Sequence, residues 1–370
     1  MKKRIGSWIL MIAFVAILCL SWVSWFLLQP WADNTNYENR QKAAMPELSQ
    51  ATYSSFPDAF AEYLEDRLPF RNELMTLNSA VEYYLFHRST SDNVVIGKEG
   101  WLFYVNKGDG DPLACYQGTN LLSDDELAVM AENLVFWRDY LEERGMEFVF
   151  FIAPNKERIY SEYMPEEYGD PAEEYKVKQI VDYLRANTDL RVVYPYEELM
   201  QAKEAVAETI YYKTDSHWNE IGAYVGASAL LKELGIDMPS ITDEGMTIED
   251  PGKAEGDLAK MLYLSKPMKN VDSNYHVTGY DGHGVTNDAY DFYGMISYST
   301  TDAPDDRSLY LIRDSFASAM GITLASQFDT TNMRHLDTYT NDDLWQCAPD
   351  VVVLEVVERN VDKLMTFALE

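Results

Sequence analysis

Two short segments carry residues whose types and spacing suit acyl-transfer chemistry. The first is Tyr211-Tyr212-Lys213-Thr214-Asp215-Ser216-His217-Trp218-Asn219, a loop that leads directly into an expected helix. Residues two apart in extended backbone face the same side, so the Asp215 carboxylate can bond Nδ1 of His217. Such a bond fixes the tautomer and leaves Nε2 free to take a proton. The intervening Ser216 is expected to point away and to tolerate substitution. The plainer reading of this segment is a helix cap with a histidine nearby.

The second segment is Leu311-Ile312-Arg313-Asp314-Ser315-Phe316-Ala317, where an apolar strand gives way to a helix. A serine at that junction lies at the carboxyl edge of a sheet, where α/β proteins bind ligands, and the helix N-terminus favours negative charge. The Ser315 backbone N–H can then serve as one oxyanion donor. Serine is also a good N-cap, which is the plainer reading here. Taken together, the two segments are more specific than either alone: Ser315 as nucleophile, His217 as its base, Asp215 as the residue that orients the base.

These residues need an α/β scaffold, and the surrounding pattern supplies one. Asn93–Gly97 and Gly100–Tyr104 read as two strands joined at Lys98-Glu99-Gly100, with Trp101 as a core anchor. Ser123-Asp124-Asp125-Glu126 is an N-cap and first-turn signature for a helix to about Arg144, which Gly145 ends. Glu147–Ala153 is a continuous apolar run, suited to a strand covered on both faces. A helix at about 171–187, a strand at 191–194, a helix at about 197–207 and a helix at 219–234 follow. In the last of these, Asn219 is the cap and Gly222 and Gly226 permit close packing. Residues 236–306, rich in Asp, Gly, Ser and Tyr, read as an insertion with some β structure. Strands at 308–312 and 351–357 complete a parallel sheet flanked by helices.

Composition narrows the function. Thirty Lys and Arg against 61 Asp and Glu give a net charge of −31, which argues against nucleic acid as a partner, because phosphate binding needs a basic surface. The five histidines are scattered and no Cys-x-x-Cys occurs, so no zinc site is expected, and the chemistry calls for no cofactor. Beyond Cys19 only Cys115 and Cys347 remain, which allows at most one disulfide. Lys2, Lys3 and Arg4 precede an uncharged stretch, Ile5–Leu28, whose helical length of roughly 36 Å is enough to cross a bilayer. A cleaved signal peptide is the plainer reading, but its apolar region runs only ~7–15 residues and ends at small residues, which Leu27-Leu28-Gln29-Pro30 does not supply. With Asp33 and Glu38 beyond it, the positive-inside rule places the N-terminus in the cytoplasm and the remainder outside. Trp22, Trp25 and Trp31 are candidates for the outer interface. The expected organisation is a basic tip and anchor over 1–30, a stalk with short helices over 31–90, and a catalytic domain over 91–370.

Asp314-Ser315 after a strand resembles the nucleophile block of SGNH hydrolases, usually Gly-Asp-Ser, and Asp215-x-His217 resembles their Asp-x-x-His block. Arg313 stands in place of the glycine, and the Asp–His spacing is one residue shorter. Pro349–Glu355 followed by Arg359-Asn360 resembles the family strand that ends in an oxyanion-donating asparagine, and the strand running into Ala153-Pro154-Asn155-Lys156 resembles the family's penultimate strand. Here the His block precedes the nucleophile, the order of a circular permutation. That order, together with Gly97–Phe103, Thr214–Asn219 and Asp66–Arg71, is similar to the DHHW protein family and the related alginate O-acetyltransferases.

The resemblance implies a permuted, flavodoxin-like α/β fold and a membrane-anchored serine O-acetyltransferase that acts outside the cell on a polysaccharide. It implies Asn360 or Arg359 as the second oxyanion donor, with Arg313 and Asp314 as neighbouring candidates. It also implies a multispanning membrane acyltransferase as the acetyl donor. A carbohydrate acetylesterase would use the same triad, and an inert glycan-binding or assembly protein would keep the fold. Lys156 and Tyr160 fall near the sheet edge, where a surface-loop role is equally open. His276 and His283 lie in the insertion and are expected to be exposed.

Overall fold

A computed structural model describes residues 2–37, 41–280 and 284–366. The chain divides into two compact units, one of residues 1–90 with 260–267, the other of 91–259 with 268–370. The first unit holds α1 (Lys2–Leu28), α2 (Phe56–Glu65) and α3 (Arg71–Val81). Among the described residues no helix is long and apolar enough to cross a membrane, so the expected anchor is not found as a span, although Lys2–Leu28 is one continuous helix. The side chains of Lys2, Lys3, Arg4, Trp22 and Trp25, and the whole of Glu38 and His283, lie outside the described residues.

The second unit opens with the hairpin β1 (Val94–Ile96) and β2 (Leu102–Tyr104), followed by α4 (Pro112–Gln117) and α5 (Asp124–Glu142). The Ser123 capping box expected for α5 is formed. Next come β3 (Glu147–Ala153), α6 (Lys156–Ile159), α7 (Lys176–Asn187), β4 (Val192–Val193), α8 (Tyr196–Ala205) and α9 (Glu220–Glu233). The segment read as an insertion carries β5 (Thr247–Glu249), β6 (Lys253–Ala254), α10 (Asp257–Met261), α11 (Ser265–Met268), β7 (Asp272–Ser273), β8 (His276–Thr278), β9 (Gly284–Tyr290) and β10 (Met295–Thr301). Last come β11 (Asp305–Arg313), α12 (Gly321–Ala325), β12 (Phe328–His335), α13 (Asn341–Cys347) and β13 (Val351–Val357).

The main sheet has seven strands in the order β4-β3-β13-β11-β12-β10-β9. The first five are parallel, whereas β10 runs antiparallel to β12 and β9 antiparallel to β10. The sheet is therefore mixed, where the sequence suggested a parallel one. The burial patterns account for the difference. Strand β13 is buried at every position, and alternate residues of β3 feed two cores, Phe148, Phe150 and Ile152 on one face and Val149, Phe151 and Ala153 on the other. Strand β10 instead buries only Ile296, Tyr298 and Thr300, the half-buried alternation that suits an antiparallel strand with one face covered. Gly222 and Gly226 of α9 lie under Trp218, where added Cβ atoms would come within 2.9 Å of its side chain.

Candidate active site

The His loop and the nucleophile turn meet at the carboxyl edge of the parallel strands. Ser315 follows β11 directly, and the next element is a 3-10 turn, Phe316–Met320, before the short α12, in place of the single helix expected. The turn is set by Asp314, whose Oδ1 accepts the Phe316 N–H at 2.9 Å and whose Oδ2 accepts the Val357 N–H at 2.7 Å and Asn360 Nδ2 at 3.1 Å. Asn360 is thereby drawn to Asp314. Arg313, where the SGNH pattern has glycine, is fully buried; its guanidinium donates to the Phe292 carbonyl at 2.7 Å and to the Asp314 carbonyl at 3.3 Å.

Across from Ser315, the imidazole of His217 bridges two partners. Its Nε2 lies 2.7 Å from Ser315 Oγ and its Nδ1 2.7 Å from Asp215 Oδ1. Asp215 Oδ1 also accepts the His217 backbone N–H at 2.9 Å, and Oδ2 accepts the Asp257 N–H at 2.8 Å. Burial alone would lower the imidazole pKa, but the Asp215 charge and hydrogen bond, with Asp257 behind them, outweigh it and hold the pKa above its ordinary value. Burial acts on Asp215 in the opposite sense, and its bonds to His217 and to two backbone N–H groups hold its carboxyl below the usual carboxylate range. Ser315 is partly exposed, so a substrate can reach it.

Four supports position this chain of hydrogen bonds. The Trp218 indole N–H donates to the Phe316 carbonyl at 2.9 Å, tying the His loop to the nucleophile turn, while the Phe316 ring packs 4.8 Å from the His217 ring. Lys156 is buried, not on a surface loop, and its Nζ donates to the carbonyls of Tyr212 at 3.2 Å, Lys213 at 3.3 Å and Asp215 at 2.5 Å. Burial pushes its pKa down, against the pull of the surrounding acids. From the insertion, Asp272 accepts the N–H groups of Lys213 at 2.5 Å and Thr214 at 2.9 Å and the Thr214 hydroxyl. Trp101 is the buried anchor expected, stacked 4.1 Å from Tyr160, and the next residue, Leu102, donates its N–H to the Lys213 carbonyl at 2.9 Å.

Arg359 follows β13 with its guanidinium between the Tyr104 ring at 5.2 Å and the Phe316 ring at 5.4 Å. It is nine-tenths buried and its Nε has no hydrogen-bond partner; the nearest acid, Asp109, is 3.7 Å away. The Ser315 backbone N–H donates to no acceptor among the described residues. Asp215, His217 and Asp257 bring three ligand-type atoms within 4.8 Å of one another. Both ring nitrogens of His217 are already engaged, so the hydrogen bonds present are those of a proton relay, and a cation would have to displace them. His276 is half-exposed and pairs with Glu220 at 2.8 Å. Cys115 and Cys347 are both free thiols.

Sequence reasoning missed Trp218, Asp257 and Asp272 and misjudged Ser216, which does not point away: its hydroxyl lies 3.3 Å from His217 Nδ1. Trp218 could have been found from its place directly after His217. The two insertion acids had no local signal.

A strand-edge serine hydrogen-bonded to an Asp-oriented histidine, on a mixed sheet between helices, defines an SGNH-hydrolase-like α/β domain. The chain belongs to the family described as "SGNH hydrolase-like domain, acetyltransferase AlgX", whose sequence model matches residues 94–285, a stretch that includes Asp215 and His217 and ends before Ser315. It is similar to the "Probable alginate O-acetylase AlgJ" of Pseudomonas putida, 27% identical over 197 residues, covering 52% of this chain and 48% of that protein. The Pseudomonas aeruginosa protein of the same name is 28% identical over 180 residues, covering 48% of this chain and 41% of that one. The chain thus spans about half the length of the curated relatives it matches. Among solved structures, Bacillus cereus PatB1 aligns with TM-score 0.53 and 19% identity, covering 73% of this chain and 97% of that one. A DHHW family protein from Eubacterium siraeum aligns with TM-score 0.50 and 14% identity, covering 75% of this chain and 99% of that one. Both likenesses concern the fold.

Proposed function

We propose that this protein is a serine O-acetyltransferase that works outside the cytoplasm on a cell-surface or secreted polysaccharide. The observation that carries the reading is the unbroken chain of hydrogen bonds from Ser315 Oγ through the His217 ring to Asp215. In the first step Ser315 Oγ attacks the acetyl carbonyl of a donor while His217 Nε2 takes the hydroxyl proton. The carbonyl oxygen becomes an oxyanion, facing the Ser315 N–H and the Arg359 guanidinium. Collapse expels the donor group, which leaves with the proton from His217, and an acetyl-serine remains. A sugar hydroxyl then gives its proton to His217 and attacks the ester, and Ser315 is regenerated when the proton returns. Asp215 holds the imidazole throughout and stabilises its cation.

The same reading places the N-terminal helix in a membrane, on the strength of Lys2, Lys3 and Arg4 ahead of the uncharged stretch Ile5–Leu28. The acetyl donor is then a group passed outward by a multispanning membrane acyltransferase. The relatives named for alginate O-acetylation support acetyl transfer.

The deciding experiment incubates the protein with an aryl acetate and a panel of acidic and neutral oligosaccharides and follows mass. A gain of one acetyl group on the enzyme at Ser315, then on an oligosaccharide, is the expected result. Free acetate with no acetylated sugar would assign an esterase instead. Neither product at any pH would leave a binding or assembly protein.

A further inference from the structure

We propose that Asp257 is a second carboxylate of the catalytic relay, a positioning residue that supports His217 alongside Asp215; this rests on the triad reading above. Asp257 opens α10 in the insertion, 42 residues beyond Asp215, yet it binds the His loop at three points. Its backbone N–H donates to Asp215 Oδ2 at 2.8 Å, its Oδ1 accepts the Ser216 N–H at 2.7 Å, and its Oδ2 accepts the Ser216 hydroxyl at 2.6 Å. The same Oδ2 lies 3.7 Å from His217 Nδ1, with the Ser216 hydroxyl between them at 3.3 Å from that nitrogen.

The arrangement does more than pin a loop. A carboxylate at that distance from Nδ1 stabilises the imidazolium that forms when Ser315 gives up its proton, as the closer Asp215 does at the same nitrogen. It also answers a geometric problem. The Asp-x-His spacing is one residue shorter than the usual Asp-x-x-His, so the loop has less length with which to aim its carboxylate. Asp257 fixes Asp215 Oδ2 from outside the loop and leaves Oδ1 aligned on Nδ1. The charged groups around His217 are Asp215 in its own loop, Asp257 on α10, Arg359 after β13, and Lys156 of α6, which reaches the Asp215 carbonyl. Of these, Asp215 and Asp257 favour the imidazolium and Arg359 opposes it.

The test compares the full-length protein with Asp257→Asn, Ser216→Ala, Asp215→Asn and the Asp215→Asn/Asp257→Asn pair. Readouts are aryl-acetate kinetics across pH and the His217 ring titration followed by NMR. Asp257→Asn is expected to lower kcat about 10- to 100-fold, to move the acid limb of kcat/KM to lower pH, and to lower the His217 titration midpoint. Ser216→Ala is expected to lower the rate less and to leave the limb in place. Asp215→Asn should keep a residual rate that the double variant loses. A rate loss in Asp257→Asn with no movement of either limb or midpoint would reduce Asp257 to a loop clamp and overturn the proposal, as would an unchanged rate. The NMR titration needs no substrate, so it decides the role of Asp257 even if the acetyltransferase reading fails.

Discussion

Ser315 Oγ lies 2.7 Å from His217 Nε2 although 98 residues separate the two in the chain. The contact is made by the sheet. Strand β11 delivers Ser315 to the carboxyl edge beside β13 and β3, and the Trp218 indole, bonded to the Phe316 carbonyl, brings the His loop to the same place. Nucleophile and base are therefore delivered by separate parts of the chain and joined through the Trp218–Phe316 bond.

Ser315→Ala is expected to lower aryl-acetate hydrolysis on the order of 10⁴-fold or more, with the thermal midpoint little changed because the side chain is partly exposed. His217→Ala should cost about as much, and the double variant should be no worse than either single one, since the two groups act as one unit. Initial rates and calorimetry on the three variants check this. Additive losses would show that serine and histidine act separately.

The pH profile follows from the imidazole. The base form of His217 is needed to take the Ser315 proton, and the Asp215 carboxylate, despite burial, holds its pKa above the ordinary value of about 6.5. Activity should therefore rise with pH through a limb above that value, from a protonated and inactive imidazolium to the free base. A kcat/KM profile for the wild type, with Asp215→Asn showing the limb displaced to lower pH, tests the sign.

The parts of this site that were legible in the sequence are those whose signal is local. Strand β3 occupies the expected residues because an apolar run buried on both faces needs no knowledge of its partners, and α5 begins at its capping box for the same reason. Asp215, His217 and Ser315 could be named from their types and their places beside predicted elements. Asp257 and Asp272 could not, because they reach the loop from 41 to 59 residues away and lie in an acid-rich stretch that reads as solvated surface. Ser216 was misjudged because the alternation rule assumes extended backbone, whereas residues 213–217 form a succession of bends. Strand β12 escaped notice because Asp329, Thr330, Thr331 and Asn332 interrupt its apolar pattern, even though it pairs with both β11 and β10.

Lys156 donates to three loop carbonyls from a buried position. Removing the ammonium leaves the Tyr212 and Asp215 carbonyls short of that donor, while the Lys213 carbonyl keeps the Leu102 N–H, so Lys156→Met is expected to destabilise the protein by about 2–3 kcal/mol. The loop it releases carries Asp215 and His217, so kcat should fall further than the fraction of unfolded protein explains. Denaturant midpoints and kcat measured on the same samples separate the two effects.

Gly256 lies against the Thr214 carbonyl, where an added Cβ would come within 2.0 Å of the oxygen. The carbonyl belongs to backbone and cannot swing aside as a side chain would, so the clash is relieved by moving the start of α10 and the His loop apart. Gly256→Ala should therefore displace Asp257 from Asp215 and Ser216 together, and kcat should fall on the order of 10²-fold for a shift near 1 Å. An alanine variant with wild-type kcat would show that the loop holds its shape without α10.

Arg359 supplies the last prediction. Asn360, the other expected oxyanion donor, gives its amide to Asp314, whereas the Arg359 Nε has no hydrogen-bond partner, with Asp109 at 3.7 Å, and its guanidinium lies over the ring of the residue that follows the nucleophile. A donor that serves only the tetrahedral oxyanion should affect kcat and leave ground-state binding alone, so Arg359→Met is expected to lower kcat about 10²-fold with KM nearly constant. Arg359→Lys should recover little, because a shorter ammonium cannot keep the place between Tyr104 and Phe316 and still reach the oxyanion. If KM rises and kcat holds, Arg359 binds the acetyl donor or the glycan instead, and the oxyanion rests on the Ser315 N–H alone.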